Sequence, residues 1–360
     1  MYSPARYIGH IFSKRRPIHL TFFVTGKCNS KCPLCFYLKP GGKPAESLSE
    51  LSLGEIEKVS SSLGSLLWLA FSGGEIYLRN DLVEISRIFY EKNKPSIMLY
   101  PTNGLLPEVI RERTELILEQ CARSVIAVKL SLDGVGEAHD SIRNTPGSFD
   151  KTMQTYHMLK GFINTYPNFE LGINTVFCSG NQDSMDAIID FVNGLEHIKT
   201  HTISLVRGDL SYERYKSVDL GKYMSAVKRL EDNLKSKTSS IYRFRGARIK
   251  AAQDIMQRRL IHRTMRERKR LIPCYAGRLN LVLTESGEVY PCEILRESFG
   301  NVRECGYDMR KVTGSDEAVR IIGSIMDEKC YCTHECYFMT NILFNPGLYP
   351  ELAREYIQLR

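Results

Sequence analysis

The sequence lacks any run of apolar residues long enough to cross a membrane. A membrane helix needs about 18 or more such residues in succession, and none of the apolar runs in the 360 residues approaches that length. The N-terminus, Met-Tyr-Ser-Pro-Ala-Arg, also lacks the apolar core of a secretory signal peptide. We therefore expect a cytoplasmic protein without a transmembrane segment.

Internal repeats, low-complexity tracts and nucleic-acid-binding motifs are absent as well. The net charge of +8 is modest for this length, and its basic residues concentrate between Tyr242 and Arg270. We interpret that stretch as a solvated helix between domains, whose lysine and arginine stems cover apolar surface. Contact with an acidic substrate or a membrane surface is the alternative, and no nucleic-acid partner is expected.

Cysteine, in contrast, is plentiful. The chain has 11 cysteines, and their tight spacing in a long, unsignalled chain favours metal ligands over disulfides. Cys28, Cys32 and Cys35 form a CxxxCxxC motif directly after a strand-like run, 19–24. A 4Fe-4S cluster normally takes four thiolates, so three thiolates leave one iron open for an external ligand. The alternatives to a cluster site are a zinc knuckle and three inert thiols in the protein core.

Glycine-rich and polar motifs follow the next three predicted strands. Ser72-Gly73-Gly74-Glu75 follows the second strand, and its glycines allow the backbone to approach a ligand closely. The Glu75 carboxylate or the neighbouring carbonyls can accept a hydrogen bond from an ammonium group. Thr102-Asn103-Gly104 ends the third strand, and Ser131-Leu132-Asp133-Gly134 ends the fourth.

Together these motifs resemble those of the radical SAM superfamily. The resemblance implies that S-adenosylmethionine binds the open iron of a 4Fe-4S cluster held by Cys28, Cys32 and Cys35. One electron then cleaves it to a 5'-deoxyadenosyl radical, which abstracts hydrogen from a substrate carbon. Leu34 departs from the family, which usually has an aromatic residue there. The residues expected to contact S-adenosylmethionine are Gly73, Gly74, Glu75, Asn103, Ser131, Arg143 and Asn174.

For three of these residues, a specific part of S-adenosylmethionine is the expected contact. The Ser131 hydroxyl is expected at the ribose or the methionine carboxylate, and the Arg143 guanidinium offers a fork for that carboxylate. Asn174 is expected at the ribose or adenine, with a purely structural role as the alternative.

Short β-rich runs alternate with helix-like segments from residue 18 to 207, as in parallel βα units. The predicted strands are 18–25, 66–72, 96–101, 124–132, 170–177 and 202–206, and the predicted helices are 52–63, 82–92, 106–120, 149–163 and 184–195. Such sheets bind ligands outside the carboxyl ends of their strands. The expected fold is α/β, a partial (β/α)6 TIM-like barrel with a small C-terminal β-hairpin and helix domain that binds a cluster.

The expected domain organisation follows from these patterns. It comprises an N-terminal extension (1–17), a radical SAM partial barrel (18–210), a basic helical bridge (211–270), an auxiliary cluster domain (271–340) and a C-terminal helix (341–360).

A second cysteine set carries the resemblance to the SPASM or shorter twitch auxiliary domain. Cys274, Gly287 and Cys292 fit its opening pattern, CX9-15GX4C, whereas of the remaining pattern only the CX3C of Cys332 and Cys336 is met. Two auxiliary clusters need about seven or eight thiolates, more than the region offers, so one auxiliary 4Fe-4S cluster is expected. Its expected ligands are Cys274, Cys292, Cys332 and Cys336, with Cys330 as the alternate. A structural zinc site with four thiolates is the alternative.

Glu293 directly follows Cys292. In sulfatase-maturing relatives an acidic residue at this position is thought to act as a base, and Glu293 is the corresponding candidate catalytic residue. Burial would raise its pKa toward a useful range. The alternatives to a catalytic role are that Glu293 caps a turn or that it pairs with Arg296.

The resemblance implies an enzyme that modifies a peptide or protein by oxidation, crosslinking or epimerisation. Only a short segment precedes the first predicted strand, so a separate leader-recognition protein is expected as a partner, beside an external electron donor such as flavodoxin or ferredoxin. The alternative substrate is a small molecule, such as a sugar, an aminoglycoside-like alcohol or a lipid precursor. A non-catalytic iron-sulfur electron carrier is the third hypothesis, and the nucleotide-pocket motifs argue against it.

Overall fold

The computed structural model of the chain describes residues 1–38, 49–198, 200–236, 242–327 and 330–359. The proline- and glycine-rich stretch 40–44, which the sequence predicts to be an irregular connector, lies outside these residues.

One open sheet of nine strands organises the described chain, in the order β6-β5-β4-β3-β2-β1-β7-β8-β9. Neighbouring strands pair in parallel from β6 to β7, and β7, β8 and β9 pair antiparallel. The strands are β1 (His19–Thr25), β2 (Trp68–Gly73), β3 (Ile97–Thr102), β4 (Val125–Ser131), β5 (Phe169–Phe177), β6 (Thr200–Leu205), β7 (Asn280–Leu283), β8 (Glu288–Tyr290) and β9 (Gly300–Asn301). The predicted partial barrel of six parallel strands is confirmed.

Helices connect the parallel strands, as the alternating pattern predicts. They are α1 (Leu53–Ser62), α2 (Leu82–Asn93), α3 (Pro107–Gln120), α4 (Glu137–Arg143), α5 (Ser148–Leu159), α6 (Phe162–Thr165) and α7 (Met185–Asn193). Ser52 begins α1 with a capping box, in which its hydroxyl accepts from the Glu55 N–H and its own N–H donates to the Glu55 carboxylate. The helix predicted at 149–163 is divided at Lys160 and Gly161 into α5 and α6.

The C-terminal half adds α8 (Leu220–Lys235), α9 (Ala247–Glu267), α10 (Met309–Thr313), α11 (Asp316–Met326), α12 (Glu335–Leu343) and α13 (Tyr349–Gln358). Short 3-10 helices cover Pro4–Ile11, Ile76–Leu78, Glu213–Lys216 and Pro346–Leu348. The turn predicted near Gly287 is present. Gly287 has a positive φ of 92°, and the Thr284 N–H donates to the Glu288 carbonyl at 2.9 Å. It joins β7 to β8 as a hairpin.

The core lies on both faces of the parallel strands. All seven residues of β1 are buried, as expected for a central strand with helices on one face and the barrel interior on the other. β7 pairs with β1 from His19 opposite Asn280 to Phe22 opposite Leu283. The barrel sheet therefore continues into the region predicted to be the auxiliary domain.

The basic stretch differs from its prediction. The middle of α9 is buried from Ala251 to Arg258, whereas Arg263 and Arg266 near its end are exposed. The prediction of a solvated helix is therefore wrong for the middle of α9, which packs against the barrel and against α13. Among the described residues, no helix is long and apolar enough to span a bilayer.

Candidate active site

The three N-terminal cysteines lie together in the loop after β1 and line one cavity of about 550 Å³. We call it the cysteine-loop cavity. The Cys35 N–H donates to the Cys32 carbonyl at 3.1 Å, and the Ser30 hydroxyl lies 3.0 Å from Cys32 Sγ. Burial raises the pKa of Cys28 and of Cys35. The loop thus holds three half-buried thiols on one wall.

The glycines after β2 pack directly on this loop. The Gly74 N–H donates to the Thr25 carbonyl and the Glu75 N–H to the Lys27 carbonyl, both at 2.8 Å. A Cβ at Gly74 would overlap the Lys27 carbonyl, and one at Gly73, where φ is +119, would overlap the Thr25 carbonyl. These glycines are therefore needed for contact between two backbones of the protein, in addition to any approach to a ligand.

Glu75 joins the ends of β2 and β3. Its buried carboxylate accepts from the Thr102 hydroxyl at 2.8 Å, the Asn103 N–H at 2.8 Å and the Tyr77 N–H at 3.2 Å. Burial raises the pKa of Glu75, and the hydrogen bond from Asn103 is the largest opposing contribution. Most of its acceptor capacity is thus used within the protein, which leaves at most one lone pair for an ammonium group.

Asn103, Ser131 and Arg143 also line the cysteine-loop cavity. The Asn103 amide donates to the Asn29 side chain at 2.7 Å and lies 3.8 Å from Cys28 Sγ. Arg143 donates from Nη1 to the buried Asp133 carboxylate at 2.7 Å. The ion pair fixes the guanidinium and leaves its remaining donors for a carboxylate in the cavity.

The structure therefore brings together the three cysteines with six of the seven residues predicted to contact S-adenosylmethionine. Asn174 is the exception, because it lines an adjoining cavity and its amide oxygen accepts from the Ser204 hydroxyl at 3.1 Å.

This second cavity, of about 290 Å³, occupies the interior of the barrel, and we call it the barrel cavity. Its lining runs from Trp68 and Val125, at the starts of β2 and β4, to Ser72 at the far end of β2. The residues that line both cavities are Leu34, Phe36, Ser72, Pro101 and Val176. The two cavities are thus neighbours with a common wall.

A buried charge cluster closes one side of the barrel cavity. Arg207 donates from Nη1 to Glu335 at 3.0 Å and from Nη2 to Glu293 at 3.2 Å. His334 Nε2 lies 2.6 Å from Glu293 Oε2. The alternative pairing of Glu293 with Arg296 does not occur, since Arg296 pairs with Asp209.

The pKa expected for Glu293 is wrong in direction. Burial alone would raise it, but His334 and Arg207 together outweigh burial and lower the pKa of Glu293 to about 2. Burial raises the pKa of Glu335, which Arg207 only partly opposes. The cluster therefore contains one carboxylate that is firmly ionised and one that is more easily protonated.

The C-terminal cysteines divide into two environments. Burial, with a smaller contribution from Cys274, raises the pKa of Cys292 and of Cys332 to about 12. Cys330 raises the pKa of Cys274 and of Cys332 and accepts a hydrogen bond from Arg270 Nη2 at 3.1 Å. The thiols of Cys274, Cys292 and Cys330 are thus each linked electrostatically to Cys332 or to one another.

Cys336 has other neighbours. Burial raises its pKa to about 12, and the charges that act on it are those of Glu293, Arg207, Glu335 and Lys250. Its side chain also lines the barrel cavity. The ligand set predicted from the sequence, with Cys336 in preference to Cys330, remains a prediction, and this arrangement favours Cys330.

The donor chemistry of both cysteine sets fits iron-sulfur clusters, because a 4Fe-4S cluster is held by thiolates and normally takes four of them. The cysteine-loop cavity offers three thiolates, so a cubane held there would keep one iron open. Four thiolates in the C-terminal set suit a cubane and also suit zinc. Within the described ranges, no three His, Cys, Asp or Glu side chains are grouped as ligands of a single metal ion.

Sequence reasoning missed six charged residues that line the barrel cavity: Lys129, Glu170, Arg207, Lys250, Asp254 and Glu335. Lys129 had a readable signal, because it is the lone charged residue in the otherwise apolar run Val-Ile-Ala-Val-Lys-Leu-Ser of β4. Glu335 directly precedes Cys336. Arg207 and Lys250 carry no comparable local pattern, and only the fold brings them to the cavity.

No protein-family model matches the chain, but individual curated proteins do. The antilisterial bacteriocin subtilosin biosynthesis protein AlbA of Bacillus subtilis is 28% identical over 299 residues, which are 81% of this chain and 59% of that protein. The chain thus spans about three fifths of the length of this relative. The AdoMet-dependent heme synthase of Methanosarcina barkeri is 26% identical over 301 residues, 80% of each chain.

A solved structure shares the fold. The structure described as native anSMEcpe with bound AdoMet and Cp18Cys peptide superposes with a TM-score of 0.62 at 19% identity, over 96% of this chain and all of that chain. At this identity the likeness shows the fold alone, and the fold it shows is the partial barrel with its C-terminal extension.

Proposed function

We propose that the chain, a radical SAM enzyme of the SPASM/twitch type, modifies a peptide or protein by removing a hydrogen atom from a substrate carbon. The observation that supports this most directly is the common wall of the cysteine-loop cavity and the barrel cavity. Because the two cavities adjoin along these residues, a radical formed in the cysteine-loop cavity would be only a short distance from a substrate held in the barrel cavity. The enzyme uses S-adenosylmethionine and 4Fe-4S clusters as cofactors.

When bound, the first cluster and S-adenosylmethionine supply one electron and a 5'-deoxyadenosyl radical, and an auxiliary cluster accepts an electron from the substrate. The protein binds and orients these groups. We assign Cys28, Cys32 and Cys35 to the first cluster. We propose that Arg143 and Ser131, which both line the cysteine-loop cavity, hold the methionine carboxylate and the ribose.

Oxidation or crosslinking removes a second electron and a proton after the hydrogen atom has left. Glu293 is our candidate acceptor for that proton, since it lines the barrel cavity and is ionised at neutral pH. A carboxylate with a pKa near 2 is a weak base, so Glu293 would hold the proton briefly and pass it on. His334, 2.6 Å from its carboxylate, helps to keep Glu293 ionised before that step and orients it.

The size of the barrel cavity limits how a peptide can bind. At about 290 Å³, it lies at the lower end of the usual range for small-molecule sites, so it holds one residue of a peptide and not a folded segment. We propose that a single side chain enters the cavity while the remainder of the peptide stays outside. The relatives named for bacteriocin biosynthesis and for a bound peptide support this substrate class.

A small molecule is the second candidate substrate, and the same volume favours it. A ligand of modest size would fill the cavity without a peptide chain outside it. The relative named as an AdoMet-dependent heme synthase, which matches along 80% of both chains, supports this candidate.

Product analysis distinguishes these candidates. The reconstituted enzyme would be incubated anaerobically with S-adenosylmethionine, dithionite and synthetic copies of short peptides that are encoded by genes next to its own. The peptides would then be analysed by mass spectrometry. A crosslink or an oxidation appears as a loss of two mass units, and epimerisation in deuterated water as a gain of one. A Cys28→Ser variant is the control. Unchanged peptides, with 5'-deoxyadenosine still formed, would reject the peptide proposal and leave the small-molecule candidate.

A further inference from the structure

Lys129 places a cation inside the barrel. It lies on β4 two residues before Ser131, so both side chains point to the same face of the sheet. Its amine donates to the hydroxyl of Thr200 and, at 3.5 Å, to that of Thr202. Lys129 retains some accessible surface, and it lines the barrel cavity. That surface therefore faces an internal space.

The neighbouring strand makes room for this side chain. Gly172 of β5 stands opposite Lys129 on one side and Thr200 on the other. A Cβ at Gly172 would lie 2.5 Å from Lys129 Nζ, closer than real contacts allow. The absence of a side chain at this position is thus what lets the amine lie across β5 toward β6.

The charges around the Lys129 amine do not balance. Lys250 pairs with Asp254 on α9, and the Glu170 carboxylate accepts the Arg243 N–H at 2.6 Å. No carboxylate within the described ranges lies at ion-pair distance from Lys129.

Arg258 adds to this excess of positive charge. Its Nη1 is buried, with no hydrogen-bond partner among the described residues. Three cations, Lys129, Lys250 and Arg258, thus face two carboxylates, Glu170 and Asp254. Tyr242 and His201 are the other titratable groups beside them, and burial lowers the pKa of His201 to about 3, so this imidazole is neutral. An anion would balance this charge, and in a low-dielectric interior its attraction is strong.

The remainder of the barrel cavity is mostly apolar. Trp68, Ala70, Leu99 and Ala127 are among its apolar lining residues, and Pro101 of the common wall stands opposite Lys129 on the neighbouring strand. Two residues of a strand span about 7 Å, which is the separation along β4 between Lys129 and Ser131 of the cysteine-loop cavity. A ligand with a charged head at Lys129 and an apolar body would reach that wall.

We propose that Lys129 binds a carboxylate of the substrate and so determines which substrate carbon lies beside the cysteine-loop cavity. This proposal rests on the proposed function in one respect, namely that the barrel cavity is the substrate site. The carboxylate belongs either to a small apolar acid or to an acidic side chain of a peptide. Lys129 is thereby a specificity-determining residue.

Binding measurements test this without turnover. Calorimetry on the reconstituted enzyme saturated with S-adenosylmethionine would compare 4-phenylbutyrate with the uncharged 4-phenylbutanamide. A hydrogen bond between charged groups should favour the acid by about tenfold in Kd. Lys129→Met should abolish this preference, whereas Lys228→Met, which removes an exposed lysine of α8, should keep it. Equal Kd values for both probes in the wild type, or an unchanged preference in Lys129→Met, would overturn the proposal.

A pH series on the wild type keeps the test decisive if Lys129→Met does not fold. Burial lowers the pKa of Lys129 to about 7, so the free amine is charged below that pH and neutral above it. The preference for the acid should therefore be several-fold larger at pH 6 than at pH 8.5. A preference independent of pH would contradict the assignment.

A second pair of probes identifies the source of the carboxylate. Acetyl-Leu-Glu-Leu-amide and its glutamine counterpart would be measured in the same way. A Lys129-dependent preference for the glutamate peptide supports a peptide substrate, and one confined to 4-phenylbutyrate supports a small acid. Release of 5'-deoxyadenosine by the wild type is measured separately, so its failure would reject the proposed function without altering the binding result.

Discussion

Replacing Arg207 by methionine should destabilise the protein strongly, because this one side chain neutralises two buried carboxylates. The side chains of Glu293 and Glu335 are 6% and 11% exposed, and both accept hydrogen bonds from the guanidinium. Methionine preserves much of the apolar stem but none of the charge. Glu293 keeps the contact with His334, and Glu335 keeps the hydrogen bond from the Leu205 N–H at 3.2 Å but loses its ion pair.

The magnitude follows from the burial of the pair. Removing one partner of a buried ion pair costs about 3 to 5 kcal/mol, because it leaves an uncompensated buried charge. At the average unfolding entropy per residue, a chain of 360 residues loses about 1.3 °C of melting temperature per kcal/mol. We therefore expect the Tm of Arg207→Met to fall by about 4 to 7 °C.

Anaerobic thermal unfolding, followed by circular dichroism on samples of equal iron content, measures this directly. Arg296→Met is the matched control, since Arg296 pairs with Asp209 at the surface with 77% and 51% of the two side chains exposed. An exposed pair contributes about 0 to 1 kcal/mol, so this control should shift the Tm by less than about 2 °C. A fall no larger in Arg207→Met than in Arg296→Met would refute the reasoning.

Two further predictions concern the cluster sites. Cys330→Ser should lower the iron content from about eight to about four atoms per chain. Cys336→Ser should leave the iron content near eight, because Cys336 faces the barrel cavity. The reverse result would support Cys336 as the ligand. Gly74→Ala should reduce 5'-deoxyadenosine release at least tenfold, because its Cβ would overlap the Lys27 carbonyl and displace the cysteine loop. Gly64→Ala, with open space around it, should retain wild-type release, and equal rates in both variants would contradict this prediction.

The parallel strands could be predicted closely from the sequence. Each of the six lies within two residues of its predicted bounds at either end, because buried parallel strands are continuous apolar runs between helical segments. The cysteine loop and the Gly73–Glu75 turn could be placed for the same reason, since each directly follows such a strand. Parallel strands end at one edge of a sheet, so those motifs had to meet there.

The environment of Glu293 could not be predicted in this way. Its position after Cys292 indicated a buried acid, but its pKa depends on Arg207, 86 residues away in the chain, and on His334. Electrostatic interactions depend on distance in space and on the local dielectric. No spacing rule connects these residues.

By itself, the sequence determined the parallel barrel, the three-thiol loop and the turn that packs on it, since all of these depend on neighbours along the chain. The tertiary structure decided which cysteines are neighbours in the C-terminal set, which carboxylates share Arg207, and that α9 brings Lys250 and Arg258 near Lys129 inside the barrel. These features arise where segments distant in sequence pack together. Their charges and pKa values therefore belong to the assembled interior, which local sequence patterns do not encode.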